Sequence, residues 1–351
     1  MVVIGTDVHK RSHTFVAVNE IGRKLGEKTV AATTTGHRKA LRWARVEFGH
    51  DLTWGVEDCR NYSARLERDL LTAGQQVVRV APKLMAQARA SARTRGKSDP
   101  IDALAVAHAV LRHPDLPMAA HDEVSRELKL LTDRREDLVA QRTATINRLR
   151  ERVHDLDPAA EPPRGSLHRA RPCAQLAQWL CTQPGLLAEI ARDELADVTR
   201  LTEAIDALTA RISDRVTQAA PALLALPGCG DLTAAKLVAE TAGITRFTSE
   251  ASFARHSGTA PIPVWSGNTA GRVRLTRSGN RQLNAALHRI AITQIRLADS
   301  PGQIYYRKRL TQGDSSREAL RCLKRRLARV VYKRLLTDNH TPPQTHDLAA
   351  A

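Results

Sequence analysis

Four acidic residues in the first third of this chain stand where strands end or where a helical pattern begins. Asp7 ends the apolar run VVIGTD and Glu57 ends the run LTWGVE, and both runs predict β-strands. Asp99 and Asp102 lie three residues apart in KSDPIDALAVAHAVL, whose spacing predicts a helix. We expect carboxylates at two strand ends and on one helix to converge at one edge of a sheet.

Four converging carboxylates repel one another unless a hard cation lies among them, and oxygen ligands suit Mg²⁺. The cluster therefore predicts a site for Mg²⁺ or Mn²⁺, and two ions about 4 Å apart would cleave phosphodiesters. Each acid also has a purely structural interpretation. Asp7 would cap a turn, Asp99 would be an N-cap before a proline, and Asp102 would be a first-turn acid. Asp58 beside Glu57 leaves the choice between those two open.

The N-terminal segment alternates strand and helix patterns. Three strands that form a meander, followed by strand–helix units, predict an α/β domain of the RNase H-like class. The predicted strands are Val2–Asp7, His13–Asn19, Lys28–Thr34, Leu52–Glu57 and Gln76–Val80, and the helices are Gly36–Phe48, Asn61–Ala73 and Pro82–Ser91.

The middle of the chain predicts two long helices. Glu123–Leu156 and Leu187–Val216 both carry leucines, isoleucines and valines near heptad spacing, with a Pro-rich break over Asp157–Pro172. Such sustained spacing is typical of a coiled coil. The helices would either fold back on each other or pair with another protomer, and an ordinary helical hairpin is an equal alternative.

The C-terminal third predicts further helices. The turn containing Gly228 and Gly230, before an Ala-rich helix, is typical of a helix-hairpin-helix, whose backbone N–H groups approach a DNA phosphate. A Gly turn between packed helices is the structural alternative. Gly-rich loops follow Phe253, a final helix is predicted at Ser316–Leu336, and Thr337–Ala351 is predicted to be a loose tail.

The charge of the chain favours a polyanionic partner. Of the 351 residues 42% are hydrophobic and only 3% aromatic, and the net charge is +17. Between Arg272 and Arg334, 17 lysines and arginines oppose three acids, a net charge of +14. A solvated basic face is the alternative, but this excess favours nucleic acid. The basic residues that we predict to contact it are Arg272, Arg274, Arg277, Arg281, Arg321, Arg325 and Arg329.

Cysteine usage and the N-terminus bear on the compartment. The five cysteines form no CxxC pair, which argues against a zinc site or a disulfide framework and favours a reducing compartment. The chain begins with a strand pattern and shows no signal-peptide pattern or membrane-spanning run. The many alanines and arginines suggest a GC-rich bacterial genome. We therefore expect a bacterial cytoplasmic protein, associated with the nucleoid when bound to DNA.

Several motifs, in this order, resemble the insertion-sequence-110 family of DEDD transposases, which includes the pilin-gene invertase. They are IGTDVHK, VE and KSDPIDA in the N-terminal part and LPGCGDLTA, SGTAPIPVWSGN and SGNRQLN in the C-terminal part. The resemblance covers nearly the whole chain. It implies a RuvC-like domain, a coiled coil and a C-terminal transposase domain with a serine nucleophile. It also implies a structured guide RNA that pairs with target and donor DNA.

By this resemblance Ser266 matches the nucleophile position, although Ser257 and Ser278 also precede glycines. The sequence departs from the family at Gln282–Leu287, which lacks the usual arginine, and in PIPVW before Ser266, which is more apolar than usual. The resemblance makes Asp7, Glu57, Asp99 and Asp102 the metal-binding acids.

We therefore expect a DNA transposase with domains at 1–115 (RuvC-like), 120–220 (coiled coil) and 221–337 (transposase), and a flexible tail at 338–351. It would act as a homodimer or homotetramer, with a catalytic site that joins two protomers. Two alternatives remain. A Holliday-junction resolvase-like nuclease would use the same acids to activate water, and an inactive regulator would need only the basic C-terminal part.

Overall fold

The computed structural model describes residues 1–57, 62–90, 98–114, 116–120, 122–271, 273–275 and 279–340. The described strands are β1 Val2–Val8, β2 Ser12–Val18, β3 Lys24–Ala31, β4 Leu52–Glu57, β5 Gln76–Val80, β6 Pro261–Pro263 and β7 Val273–Leu275. The first helices are α1 Thr34–Phe48, α2 Ala64–Thr72, α3 Pro82–Ala90, α4 Asp99–Arg112, α5 Glu123–Leu156, α6 Ala170–Cys181 and α7 Leu186–Ala219. The others are α8 Pro221–Leu224, α9 Asp231–Thr241, α10 Glu250–His256, α11 Arg281–Arg296, α12 Pro301–Thr311 and α13 Ser316–His340.

The first five strands form one mixed sheet in the order β3-β2-β1-β4-β5. Strand β2 is antiparallel to both β1 and β3, whereas β4 is parallel to β1 and β5. The parallel strands are connected through α1 and α2, because a parallel pair requires a crossover. The predicted meander followed by strand–helix units is therefore confirmed.

The third strand begins earlier than the sequence predicted. It spans Lys24–Ala31 rather than Lys28–Thr34. The reason is a tight turn after β2, in which the N–H of Asn19 donates to the carbonyl of Arg23 at 3.1 Å and the N–H of Gly22 to that of Asn19 at 2.9 Å. The chain therefore reverses direction within a few residues, and β3 pairs with β2 from its first residue, Lys24.

Helices cover both faces of the sheet. Alternate strand residues such as Ile4 and Trp54, both fully buried, pack with α1 and α2 on one face. On the other face Val3 packs with Ala103 and Ala107 of α4. A strand buried on both faces has to be apolar along its whole length, which explains the uninterrupted apolar runs of β1 and β4.

The two long helices α5 and α7 pack against each other as an antiparallel pair. Leu138 contacts Leu201 and Ile205 in their shared apolar seam. Polar contacts follow the seam: Arg215 Nε donates to Glu127 Oε2 at 2.6 Å, and Arg135 Nε donates to Thr209 Oγ1 at 2.7 Å. Helices α5 and α7 thus fold back on each other within one chain.

Helix α6 lies where the sequence predicted a Pro-rich break up to Pro172. The break holds only a 3-10 turn at Pro158–Ala160, and α6 begins at Ala170. Leu176 and Leu180 of α6 pack among Leu149, Val153, Leu195 and Val198 of the helical pair. Pro172 lies in the first turn, where proline is tolerated, and this tertiary burial stabilises the helix.

The chain divides into two compact units, which combine separate segments. The first unit comprises 1–123, 242–284 and 324–336, and the second comprises 124–241, 285–323 and the described residues from Thr337 onward. The final helix α13 runs to His340, four residues beyond its predicted end. Within the described residues, no helix has the length and apolar composition that a membrane crossing requires.

Candidate active site

Asp7 and Glu57 end neighbouring parallel strands at the same level of the sheet. The register pairs Val2 with Leu52 and continues to Thr6 with Val56, so the next residue on each strand is one of the two acids. Parallel strands lie about 4.8 Å apart. The apolar runs that form β1 and β4 therefore bring these carboxylates side by side, as the sequence predicted.

Two glycines allow α4 to pack closely onto these strands. A Cβ on Gly5 would lie 2.0 Å from the carbonyl oxygen of Ala103, and one on Gly55 would lie 2.7 Å from Val110 Cγ2. Side chains two residues apart on a strand point to the same face. Asp7, two residues after Gly5, therefore faces the helix whose first turn carries the other two acids.

The surroundings of Asp7 disfavour its negative charge. The Asp7 side chain is only 10% exposed. Burial raises the pKa of Asp7, the neighbouring His9 opposes this, and the negative charges of Asp102 and Asp99 raise the pKa further. Asp102 is itself buried, whereas about half of the Asp99 side chain is exposed. A bound cation would offset the mutual repulsion of these carboxylates.

His9 belongs to this cluster, although sequence reasoning missed it. Its Nε2 lies 2.9 Å from Asp7 Oδ2 and 3.4 Å from Asp99 Oδ1. One ligand atom from each of these three residues lies within 4.8 Å of the others. The spacing Asp-x-His after a strand was the available signal, because it places His9 on the same side as Asp7.

The donor set fits a divalent cation. Carboxylate oxygens are the preferred ligands of Mg²⁺ and Mn²⁺, and an imidazole nitrogen is also a metal ligand. Asp7, His9 and Asp99 offer ligand atoms at mutual distances that one ion can span. Glu57 ends the strand next to that of Asp7, and the charge of Asp102 acts on Asp7.

The three serine–glycine pairs differ in their surroundings. Ser257 is fully buried, and its hydroxyl donates to the carbonyl of Ala254 at 3.2 Å. Ser266 is exposed in the segment that connects β6 to β7, just before a 3-10 turn at Gly267–Thr269. Ser278 lies outside the described residues.

The β6–β7 hairpin that carries Ser266 is anchored at its root. Gly258 and Gly279, which flank the hairpin, approach so closely that a Cβ on Gly279 would lie 2.2 Å from Gly258 N. Asn284 Nδ2 donates to the carbonyls of Ser257 at 2.9 Å and Gly258 at 3.2 Å. Lys324 Nζ in turn donates to Asn284 Oδ1 at 2.5 Å. These contacts at the hairpin root were not predicted, because the residues that make them are far apart in sequence.

Burial lowers the pKa of Lys324. Lys324 Nζ donates a hydrogen bond to the amide oxygen of Asn284, and this hydrogen bond fixes the orientation of that amide. The amide nitrogen therefore points to the two backbone carbonyls at the hairpin root.

The predicted Gly-rich turn borders a cavity in the second unit. Gly228 has a φ of 80°, which a glycine adopts without strain, and a Cβ there would lie 3.1 Å from Thr293. A Cβ on Gly230 would meet open space. The cavity, of about 630 Å³, is lined by Leu224, Ala225, Leu226, Pro227, Gly228, Cys229, Gly230, Thr233, Arg289 and Thr293. Arg289, which was not among the predicted nucleic-acid-binding residues, supplies a cation to this lining.

The predicted nucleic-acid-binding arginines have different environments. Arg274, Arg281 and Arg321 are exposed, and Arg325 is half-buried. Arg329 is held in an ion pair with Glu250 at 2.8 Å. Arg272 and Arg277 lie outside the described residues.

Comparison with known families identifies the class of protein. A DEDD-type transposase model matches residues 4–158, and the model described as "Transposase IS116/IS110/IS902 family" matches residues 220–307. Both models describe transposases, enzymes that cut and rejoin DNA. The chain belongs to the IS110 family of transposases.

Full-length relatives agree with this assignment. The "Insertion element IS900 uncharacterized 42 kDa protein" of Mycobacterium paratuberculosis is 26% identical, over 99% of this chain and 98% of the relative. The "Insertion element IS116 uncharacterized 44.8 kDa protein" of Streptomyces clavuligerus is also 26% identical, over 97% of both chains. The IS110 protein of 43.6 kDa from Streptomyces coelicolor is 24% identical, over 95% of this chain and 94% of the relative.

Proposed function

We propose that this transposase cuts and rejoins the DNA of its insertion sequence through Ser266, assisted by Asp7, Glu57, Asp99 and Asp102. The grouping of buried Asp7 with Asp99 and Asp102, where β1, β4 and α4 meet, is the observation that carries the proposal. Ser266 supports it because its segment is exposed while the root of its hairpin is fixed.

The proposed reaction conserves the energy of the DNA backbone. Ser266 Oγ forms a bond to phosphorus as the bond between phosphorus and one strand oxygen breaks. The serine hydroxyl gives up a proton and the leaving oxygen gains one, so the step balances without ATP. A strand hydroxyl then attacks the phosphoserine ester in the reverse sense, which rejoins DNA and restores Ser266.

The acid cluster would serve the same phosphate. Asp7, Glu57, Asp99 and Asp102, with His9 beside them, would hold Mg²⁺ or Mn²⁺, which when bound supplies positive charge at the phosphate. The carboxylate of Asp7 extends from the end of a strand, and that of Asp102 extends from the first turn of a packed helix. Both residues lie in regular secondary-structure elements, which suits a site that orients a phosphate.

Further features of the proposal rest on pattern and charge. The sheet order supports a RuvC-like domain at 1–115. The paired helices α5 and α7 support a coiled coil at 120–220. The Gly228–Gly230 turn supports a helix-hairpin-helix within a transposase domain at 221–337. A net charge of +14 in the C-terminal part supports DNA and a structured guide RNA as partners. We also propose that the protein acts as a homodimer or homotetramer at the nucleoid.

A denaturing gel tests the nucleophile. Labelled DNA that flanks the gene is incubated with the protein and its co-purified RNA, and covalent protein–DNA adducts are resolved from free DNA. Ser266→Ala is expected to remove the adduct and strand exchange while DNA binding persists. Ser257→Ala and Ser278→Ala are the controls, and both are expected to retain adduct.

Any other result of the gel assay would favour an alternative mechanism or function. An adduct formed by Ser266→Ala would place the nucleophile elsewhere. Metal-dependent cleavage without any adduct would favour a nuclease in which the acids activate water. The absence of cleavage with every substrate would favour a regulator that uses only its basic C-terminal part.

A further inference from the structure

The β6–β7 hairpin exposes apolar side chains on both of its faces. Cross-strand partners share a face, so Pro263 and Val273 lie on one side, and Ile262 and Arg274 on the other. All three residues of β6 are exposed, and Val273 is 56% exposed. Trp265, beyond the end of β6, is also 56% exposed. The hairpin therefore leaves a cluster of large apolar groups in water.

The fold does not require this apolar cluster. The hairpin is fixed at its root by the Gly258–Gly279 contact and by Asn284. A two-stranded hairpin is marginally stable alone, and exposed apolar groups at its tip add nothing to its folding. Exposed apolar clusters of this kind mark interaction sites.

Charge identifies the class of partner. From Ala251 to Ala298 the sequence contains seven arginines and no acidic residue. Exposed Arg274 projects from the hairpin itself, opposite Ile262. A segment with this excess of positive charge attracts a polyanion.

The β6 edge of the hairpin is unsuited to pairing with a protein strand. A partner strand would need backbone N–H groups along the exposed edge. Pro261 and Pro263 lack this group, and prolines on edge strands hinder further strand addition. Nucleic acid, which needs apolar faces and cations rather than a strand edge, fits better.

We propose that Trp265 stacks on a DNA base next to the phosphate that Ser266 attacks, with Val264 and Val273 acting as an apolar wedge beside it. This inference rests on the proposed role of Ser266, its neighbour in sequence. Aromatic side chains bind bases through stacking, and apolar wedges separate stacked base steps. The hairpin would thereby hold the DNA strand open at the point of cleavage and position the phosphate.

Binding without cleavage tests the inference independently of the nucleophile. The affinity of the full chain carrying Ser266→Ala for a thymine-rich single-stranded DNA oligonucleotide is measured in EDTA, so that no strand is cut. Replacing Trp265 by alanine in this background is expected to weaken binding about 5- to 150-fold, the range observed for the loss of one stacked base. Trp265→Phe should retain most of the affinity because an aromatic ring remains.

Two further readouts separate stacking from a loss of charge or fold. DNA should quench the tryptophan fluorescence of the protein, and that quenching should be much reduced in Trp265→Phe, which keeps the other three tryptophans. Trp265→Ala should leave the salt dependence of binding unchanged because it removes no cation, whereas Arg274→Gln should reduce the slope by about 0.7. Leu186→Ala, an exposed apolar residue elsewhere, is the control and should bind as tightly as the parent.

Equal affinity and equal quenching in the Trp265→Ala and parent proteins would overturn the inference. Quenching by RNA of the same sequence, but not by DNA, would also overturn it and assign the hairpin to an RNA strand. Neither result bears on whether Ser266 forms the covalent adduct. The proposed reaction and the stacking role therefore succeed or fail separately.

Discussion

The α-carbon of Gly5 faces the carbonyl oxygen of Ala103 so closely that a Cβ would lie 2.0 Å from that oxygen. The same Cβ would lie 2.4 Å from the backbone nitrogen of Ala107. Both neighbours are backbone atoms of α4 and cannot rotate away. The position of the helix that carries Asp99 and Asp102 therefore depends on a glycine two residues before Asp7.

We expect Gly5→Ala to displace α4 and to destabilise the first unit by about 3 kcal/mol, the upper end of the usual cost of overpacking. Thermal melting followed by circular dichroism should show a transition lowered by roughly 6–12 °C. Gly230→Ala, whose Cβ would meet open space, is the matched control and should melt within about 2 °C of the wild type. A Gly5→Ala protein as stable as the wild type would show that α4 moves freely.

The sequence predicted the position of the acids because it predicted the strands that carry them. Long apolar runs that end in Asp7 and Glu57 leave little choice of element, and parallel pairing then brings their ends together. The contact of His9 with Asp99 was not predictable in this way. It depends on how α4 packs, and residues ninety apart in sequence give no local signal of that packing.

The hairpin with Ser266 was missed for another reason. Its strands have three residues each, and β6 contains two prolines, so no periodicity of two is present. Asn284 and Lys324, which hold its root, are connected only through tertiary packing. Similarly, α6 was missed because Pro172 suggested a break, whereas proline fits the first turn of a helix.

Removing one buried carboxylate should abolish the metal-dependent step. Asp102→Asn keeps the size of the side chain but removes a charge that would help to hold Mg²⁺ or Mn²⁺. We expect loss of strand cleavage, and weaker Mn²⁺ binding in a calorimetric titration, with an unchanged melting temperature. Asp155→Asn, an exposed acid on α5, is the control and should behave as wild type. Full cleavage by Asp102→Asn, or in EDTA, would contradict the metal site.

Buried His13 should make the stability of the first unit sensitive to acid. Burial, together with a smaller contribution from the nearby His37, stacked at 5.1 Å, lowers the pKa of His13 to about 4. Because the folded pKa lies below the value of about 6.5 in the unfolded chain, the folded state binds fewer protons. Stability is therefore fully retained above about pH 6.5 and declines as the pH falls towards 4.

Melting temperatures measured between about pH 4 and 7.5 test this expectation. His13→Asn cannot take up that proton, so the decline should be shallower in the variant than in the wild type. The His37–Asp69 contact at 2.6 Å remains in both proteins and cancels in the comparison. Parallel curves for the two proteins would show that His13 titrates normally.

The ion pair between Arg329 and Glu250 should reduce the contribution of Arg329 to DNA binding. Arg321 is exposed and is not the partner of Glu250; its acidic neighbour Glu318 accepts a hydrogen bond from Ser315 instead. If Arg321 meets a phosphate, Arg321→Gln should lower the slope of log affinity against log salt by about 0.9. Arg329→Gln should lower the slope by less, because the charge of Glu250 already offsets the arginine. Glu250→Gln should steepen the slope, since it leaves Arg329 available to a phosphate.

Filter binding to duplex DNA between about 50 and 200 mM salt measures these slopes. The double variant Glu250→Gln with Arg329→Gln is the control, since it should bind with nearly the slope of the wild type. If Arg321→Gln leaves the slope unchanged, that part of α13 faces solvent rather than DNA. If Arg329→Gln and Arg321→Gln have equal effects, the ion pair opens on binding, and Arg329 contacts phosphate in spite of Glu250.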